Sequence, residues 1–558
     1  MHADLILTGG RIATLDERNR IVSTLAISGD RVLAVGGGEV LAHAGAGTRV
    51  IDLQGRAAVP GLIDAHAHMD REGLKLVLPS LAGAKSVADV LAIIAALAAT
   101  RKPGEWIVTM PIGEPPNYHD VPACLRENRW PTRWELDEAA PDNPVYIRSI
   151  WGAWRHTLPL VSIANSRALA LARITRDTPS PSPHVEIERD AAGEPTGVFI
   201  ESTLYPIVEF TLMSAAPGFS VADRVTGIER SMAIYNALGT TSVFEGHGVA
   251  GDVLSAYQAV RSKDRQTVRS TLTFSPAWSR VEGRAAAEVF ASWSKWLARR
   301  GYGDEWLRLM GTHAELGDSE ENRLRAGALP QTGWAGFNYD ANLPRGALDA
   351  LLLECARSDV LVVGLKPDML DAFSAVDRQV PLAGRRWVLG HINRLTDDDI
   401  ARIAALGLTV TTHTNRYVYK EGARTLARIG AGRASEIVPL RKLVDAGVCV
   451  CLASDNVPPS LFHPIWHAVA RKTAGSATRV AHDQALTRLE ALACATRNGA
   501  HLTFDEERKG TLAPGKLADI AVLTGDPFTC AEDEIRDLRA HMTIVGGRVV
   551  HESQAAAQ

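Results

Sequence analysis

The chain reads as an α/β protein: a (β/α)8 barrel, a β-sandwich built from both chain termini, and an inserted α+β subdomain. Three observations predict this. Both ends are rich in short strands, the long middle alternates strands with amphipathic helices, and residues 80–210 interrupt that rhythm. At the first end, Leu5–Ile12, Ser23–Gly36 and Arg49–Leu53 are β-rich and punctuated by Gly or Gly-Asp. At the other end, Asp519–Leu523 and Met542–His551 have the same character, with Val545–Arg548 as a hairpin turn. Residues 1–60 and 505–558 are therefore assigned to one sandwich. Between them, in residues 61–504, strand runs recur at Thr240–Phe244, Leu307–Met310, Val360–Val363, Trp387–Gly390, Leu408–Thr411 and Val448–Leu452. Helical segments at Asp223–Leu238, Gly346–Arg357, Asp397–Leu406 and Ile437–Ala446 separate them. Repeated strand–helix units predict a parallel sheet, and about eight of them predict closure into a TIM-type barrel. Residues 80–210 are rich in Pro, Trp and Arg and read as the insertion.

Composition bounds the function. The 558 residues carry 60 basic and 64 acidic side chains, a net charge of −4, and 46% are hydrophobic. Such usage excludes a disordered, collagen-like or disulfide-stapled chain. Near-neutrality leaves no electrostatic footprint for nucleic acid or an anionic membrane. The six cysteines are scattered, and the close pair Cys449 and Cys451 sits in an apolar strand as core thiols. No basic stretch followed by an apolar run opens the chain, and no apolar run reaches the ~20 residues needed to span a bilayer. The expectation is a reduced cytoplasmic protein whose partner is a small-molecule substrate, without nucleic acid or membrane; a homodimer stays open.

The sharpest local feature is Val59–Asp70, which contains His66 and His68. Residues two apart on a strand share a face, so both imidazoles point one way, towards a barrel interior. Two neutral imidazoles side by side begin a divalent metal site. A bare His-x-His is equally compatible with two polar residues at a strand end. No Gly-x-Ser-x-Gly elbow surrounds Ser166, so a serine nucleophile is not expected. Gly36–Gly38 opens no strand–helix phosphate loop.

The segment Val59–His68 resembles the first barrel strand of the amidohydrolase superfamily, and Gly510–Leu523 resembles its return to the sandwich. Pro131–Asp137, Asp142–Val145 and Gly193–Val198 are similar to the amidohydrolase-3 branch, which includes N-substituted formamide deformylases. The resemblance implies a metal-dependent hydrolase acting on carbon–nitrogen bonds other than peptide bonds, through a hydroxide generated on the metal. It implies one divalent cation, zinc first and manganese or iron as alternatives. Strand one would supply His66 and His68, strand six His391, and strand eight Asp455, which takes the proton of the attacking water. The family's strand-four lysine position holds His313, and its strand-five histidine position holds Gly364.

The metal set expected on this basis is His66, His68, Asp455, His391 and His313, with His391 alternatively hydrogen-bonding water or substrate. Asp455, His391 and His413 form the expected catalytic group, the histidines stabilising the oxyanion. His247 is read as structural. Glu245 either orients a ligand imidazole or binds the metal, and is grouped with the substrate-binding residues. Trp151 and Trp154 could line a pocket for a ring, and Arg416 and Trp466 lie in the strand-seven and strand-eight loops, where this fold places specificity. The expected substrate is a small neutral or aromatic amide-type compound. Ring deamination, lactone hydrolysis, decarboxylation and a non-catalytic scaffold are the alternatives.

Overall fold

The computed structural model describes residues 2–115, 118, 121–152, 158–204, 206–278, 286–317, 319–328, 331–475 and 478–553, without the side chains of residues 293 and 340. The barrel strands, labelled here in chain order, are β1 (Leu62–Asp64), β2 (Thr240–Val249), β3 (Arg269–Phe274), β4 (Leu307–His313), β5 (Val362–Gly364), β6 (Val388–Leu389), β7 (Thr409–Thr412) and β8 (Cys449–Leu452). They pair in sequence order, all parallel, from β1 to β8. The predicted (β/α)8 architecture is what the chain adopts. The barrel is buried on both faces, which explains why its strands read as continuous Val, Leu and Thr runs.

Helices between strands begin where the sequence offers caps. Thr396 accepts from the Asp399 amide while the Asp399 carboxylate accepts from the Thr396 amide, closing a capping box before Asp397–Ala405. Three aspartates in that first turn also complement the helix dipole. Ser220 and Thr487 repeat the device.

Both chain ends share one core. A four-stranded sheet runs Arg31–Gly36, Thr24–Ser28, Leu5–Thr8, Arg49–Asp52. A six-stranded sheet runs Arg548–Glu552, Ala540–Val545, Ile520–Leu523, Ala57–Pro60, Arg11–Ala13, Ile21–Val22. Leu7, Leu25 and Ile27 pack against Ile520, Val522 and Ile544 between them. The segment 80–210 contains a separate five-stranded sheet, ordered Val185–Arg189, Pro195–Glu201, Leu160–Ala164, Val145–Ile147, Ile107–Thr109. No helix among the described residues is long and apolar enough to cross a membrane.

Closure of the barrel is polar as well as apolar. The Asp64 carboxylate accepts from the Ser454 amide at 3.0 Å and from the Ser454 hydroxyl. The Asp455 amide donates to the His66 carbonyl at 3.0 Å, so β1 and β8 are joined just above their ends. Asn456 completes the seam: its Oδ1 accepts from the His68 amide at 2.8 Å and its Nδ2 donates to the His68 carbonyl at 2.9 Å. Against the sandwich, buried Arg269 of β3 meets Asp519 through two contacts, of 2.8 and 3.1 Å.

The floor of the barrel is ionic. Arg308 of β4 donates to Asp505 at 2.8 Å, with Lys509 3.6 Å from the same oxygen. Burial alone would raise the Asp505 carboxyl, but Lys509, Arg308 and Arg300 hold it down to about 2. A carboxylate depressed in the folded state stabilises the protein above its unfolded pKa, and that stability is lost as pH falls through the folded value. Asp505→Asn should therefore cost about 2–3 kcal/mol at neutral pH. The gap to wild type should close between roughly pH 4 and pH 2. Denaturant unfolding across that range measures it, and a gap that ignores pH contradicts the assignment.

Candidate metal centre

The C-terminal ends of the barrel strands gather five of the chain's 17 histidines and one aspartate at the same end. His66 and His68 follow β1, His313 ends β4, His391 follows β6, His413 follows β7 and Asp455 follows β8. Asp455 Oδ1 lies 2.8 Å from His68 Nε2 and 3.9 Å from His66 Nε2. Its other oxygen lies 3.1 Å from His413 Nε2 and 3.9 Å from His391 Nε2. Burial would raise the Asp455 carboxyl, but His413, His68 and His391 hold it well below the usual carboxylate range. It is an anion built for cations.

Backbone conformation helps to aim these groups. His391 and Asp455 both adopt left-handed backbone, with φ of 48° and 49°. For side-chain-bearing residues this conformation costs energy and persists only where surrounding structure enforces it, commonly at functional sites. At Asp455 the enforcing structure is the β1–β8 seam on either side.

His66 is the diagnostic residue. It is 1% exposed, and neither ring nitrogen has a hydrogen-bond partner among the described residues. Burial drives its pKa well below the ordinary value, reinforced by His391 and His68, so the ring is neutral with a lone pair inside the cluster. Buried polar atoms are otherwise nearly always satisfied, and an ion is one of the few agents that explains an orphan. Two groups containing His66, one with His68 and His247 and one with His391 and Asp455, offer ligand atoms lying within 4.8 Å of one another. Imidazoles with one carboxylate suit a borderline divalent cation such as zinc. The residues present fit that group.

His68 has a more elaborate setting. Arg71 reaches its Nδ1 at 2.5 Å, and a guanidinium can only donate, so Nε2 carries the proton facing Asp455. A cation arriving at Nε2 would displace that proton. Burial and Arg71 oppose charge on His68, but the carboxylates of Asp455 and Glu245 outweigh them and push its pKa up.

The other expected residues divide. His313 donates through Nδ1 to the Val363 carbonyl at 3.1 Å, leaving Nε2 3.8 Å from Glu315; burial lowers its pKa to about 3. Glu245 is 2% exposed beside His68, 3.7 Å from its Nδ1, and accepts from the Met69 amide and the Tyr257 hydroxyl. That placement orients the His68 segment, and Glu245 also forms, with His68 and Asp70, a group whose ligand atoms lie within 4.8 Å of one another. Trp151 is buried edge-on to Phe337, at 6.2 Å between rings. Arg416 lies on a π-helical turn after β7 and pairs with Glu421 at 3.0 Å. Trp466 is 2% exposed and donates to Asp533 at 3.1 Å, in the helical shell rather than at the mouth. Trp154 lies outside the described residues.

Sequence reasoning missed Arg71 and Asn456, which touch His68 from two sides; their only signal was adjacency to His68 and Asp455. A cavity of about 450 Å3 opens over the cluster, lined by His247, His313, His391, Glu315, Phe337 and Tyr339. A hollow of about 900 Å3 at the other end of the barrel is lined by opposing charges such as Arg18, Arg497, Glu17 and Glu507, and none of the cluster around Asp455 reaches it. The smaller cavity is the one that His247, His313 and His391 line.

Comparison with known proteins agrees with this architecture. An N-substituted formamide deformylase of Arthrobacter pascens is 28% identical, covering 98% of this chain and 98% of its own length. An uncharacterized metal-dependent hydrolase of Pyrococcus horikoshii OT3 superposes with a TM-score of 0.66 at 21% identity, covering 95% of this chain and 99% of that one. An atrazine chlorohydrolase of Arthrobacter aurescens TC1, solved with zinc, superposes with a TM-score of 0.50 at 15% identity, covering 98% and 95%. Both structures share the fold. Residues 49–551 match the profile of the Amidohydrolase family, most of the chain, and the protein belongs to that family.

Proposed function

We propose that this amidohydrolase-family hydrolase cleaves a carbon–nitrogen, amide-type bond of a small neutral or aromatic compound, using one divalent cation, zinc first. His66, His68 and Asp455 would hold it, with His391 and His313 as adjoining donors. The observation that carries this reading is His66, a buried neutral imidazole with two unsatisfied nitrogens beside a depressed carboxylate. The formamide deformylase relative supports the choice of bond.

When bound, the cation would supply Lewis acidity and ease deprotonation of water. The chain's own groups do the rest. Asp455, poised between four imidazoles, takes the proton of the attacking water and passes it to the leaving nitrogen. His413 and His391 stand on the other side of Asp455 and donate to the oxygen on which charge develops, a contribution of about 3–4 kcal/mol for a well-placed donor. Phe337 and Tyr339 form an apolar wall, 5.1 Å apart at 60°, against which a ring or alkyl group lies. Glu315 and Lys366 lie 3.5 Å apart there, with burial raising the Glu315 carboxyl to about 7.

A panel of N-formyl, N-acyl and cyclic amides, assayed for amine, acid, ammonia and carbon dioxide, tests the reaction type. Amine with acid is the expected pair; ammonia alone or carbon dioxide points to another reaction. Chelation should abolish turnover and added zinc should restore it. Asp455→Asn, which keeps shape but cannot take a proton, should lower kcat by about 10²–10⁴ with little change in KM. Equal loss in KM with kcat intact would assign Asp455 to binding alone.

A further inference from the structure

His247 stands outside the ligand set proposed above, yet the fold goes to unusual lengths to bring it in. Between Glu245 and Val249, β2 runs four residues while β3 advances only two, from Leu272 to Phe274, so β2 bulges. A bulge re-aims a side chain that regular alternation would place elsewhere, and such bulges gather beside functional sites. His247 sits in the middle of this one, with a glycine on each side.

Both glycines are required by what they face. A Cβ on Gly246 would lie 2.9 Å from His66 Nδ1, closing the space between the two rings. Gly248 has φ +79°, and a Cβ there would meet the Cβ atoms of Ser275 and His313 at 3.0 and 3.1 Å. The His247 ring then stacks on Phe337, with centroids 4.1 Å apart and planes inclined by 11°, which fixes its orientation. Its centroid is 6.1 Å from that of His66 and 5.9 Å from that of His68. Among the described residues, the groups with mutually close ligand atoms include His247 together with His66 and His68, and do not include His313.

We infer that His247 is itself a ligand of the cation, delivered by the Gly246–Gly248 bulge to complete a three-imidazole set with His66 and His68. The inference rests on the metal-dependent reading of the site. It gives the bulge, both glycines and the Phe337 stack one purpose, and it assigns His313 to the cavity wall, held by the Val363 carbonyl.

Cobalt(II), whose visible absorption reports its ligands, and zinc competition against a chromophoric chelator test this on purified protein. His247→Gln should change the cobalt spectrum and weaken zinc by more than the about 10–100-fold typical of a residue that only orients a ligand. Phe337→Leu, which removes the stack but keeps the imidazole, should retain the spectrum. Gly248→Ala should weaken zinc in the wild-type background and have no further effect when combined with His247→Gln. If His247→Gln fails to fold, Gly248→Ala with an unaltered cobalt spectrum overturns the inference. So does His247→Gln with unchanged affinity and spectrum while His66→Ala abolishes binding; that outcome leaves the metal-dependent reading intact. If neither His66→Ala nor Asp455→Asn affects binding, the metal reading fails and His247 with it.

Discussion

The site depends on one seam, the polar join between β1 and β8. Asp64 is fully buried, and burial pushes its carboxyl up to about 7 against the hydrogen bonds from Ser454 and His66. A group that costly to bury is kept only where its partners are irreplaceable. Here they are the amide and hydroxyl of Ser454, one residue before Asp455. Asn456, one residue after it, grips both backbone groups of His68. The join closes the barrel and sets the His-x-His segment opposite the aspartate in the same act. Register between first and last strands is therefore also the geometry of the centre.

Around that seam, charge is arranged so that few groups can be satisfied by the protein alone. Asp455 faces imidazoles from β1, β6 and β7, while His66 finds no hydrogen-bonding partner among the described residues. Arg71, 2% exposed, is held against the Trp151 and Phe337 rings at 5.4 and 5.7 Å and presses on the far side of His68. The same Phe337 stacks on His247. One aromatic residue thus couples the cavity wall to the groups beneath it, and its replacement is expected to disturb packing and substrate fit together.

Much of this was legible in the sequence, for identifiable reasons. Parallel strands buried on both faces leave unbroken apolar runs, so the barrel could be read, and hairpin signals at both ends marked the strands of the sandwich. His66, His68 and Asp455 were visible because strand alternation and a resemblance converge on them. Trp466 was expected near the mouth, but its helix, Phe462–Ala470, turns it towards Asp533; a helix rotates side chains by a step that loop position does not reveal. The sequence alone gives His247 a structural reading, because nothing in it distinguishes a ligand from a histidine packed beside one. A two-residue bulge is invisible to periodicity, and its only trace is the pair of flanking glycines. Glu245 is buried against His68, 3.7 Å from its Nδ1, a placement that the sequence pattern alone does not reveal.

The central claim is that the imidazoles around Asp455 converge on a cation. An anomalous difference map at the zinc edge, from crystals grown with zinc, tests it most directly. The account predicts one strong peak within bonding distance of His66, His68 and Asp455. A featureless map there, with zinc held elsewhere on the protein, would contradict it.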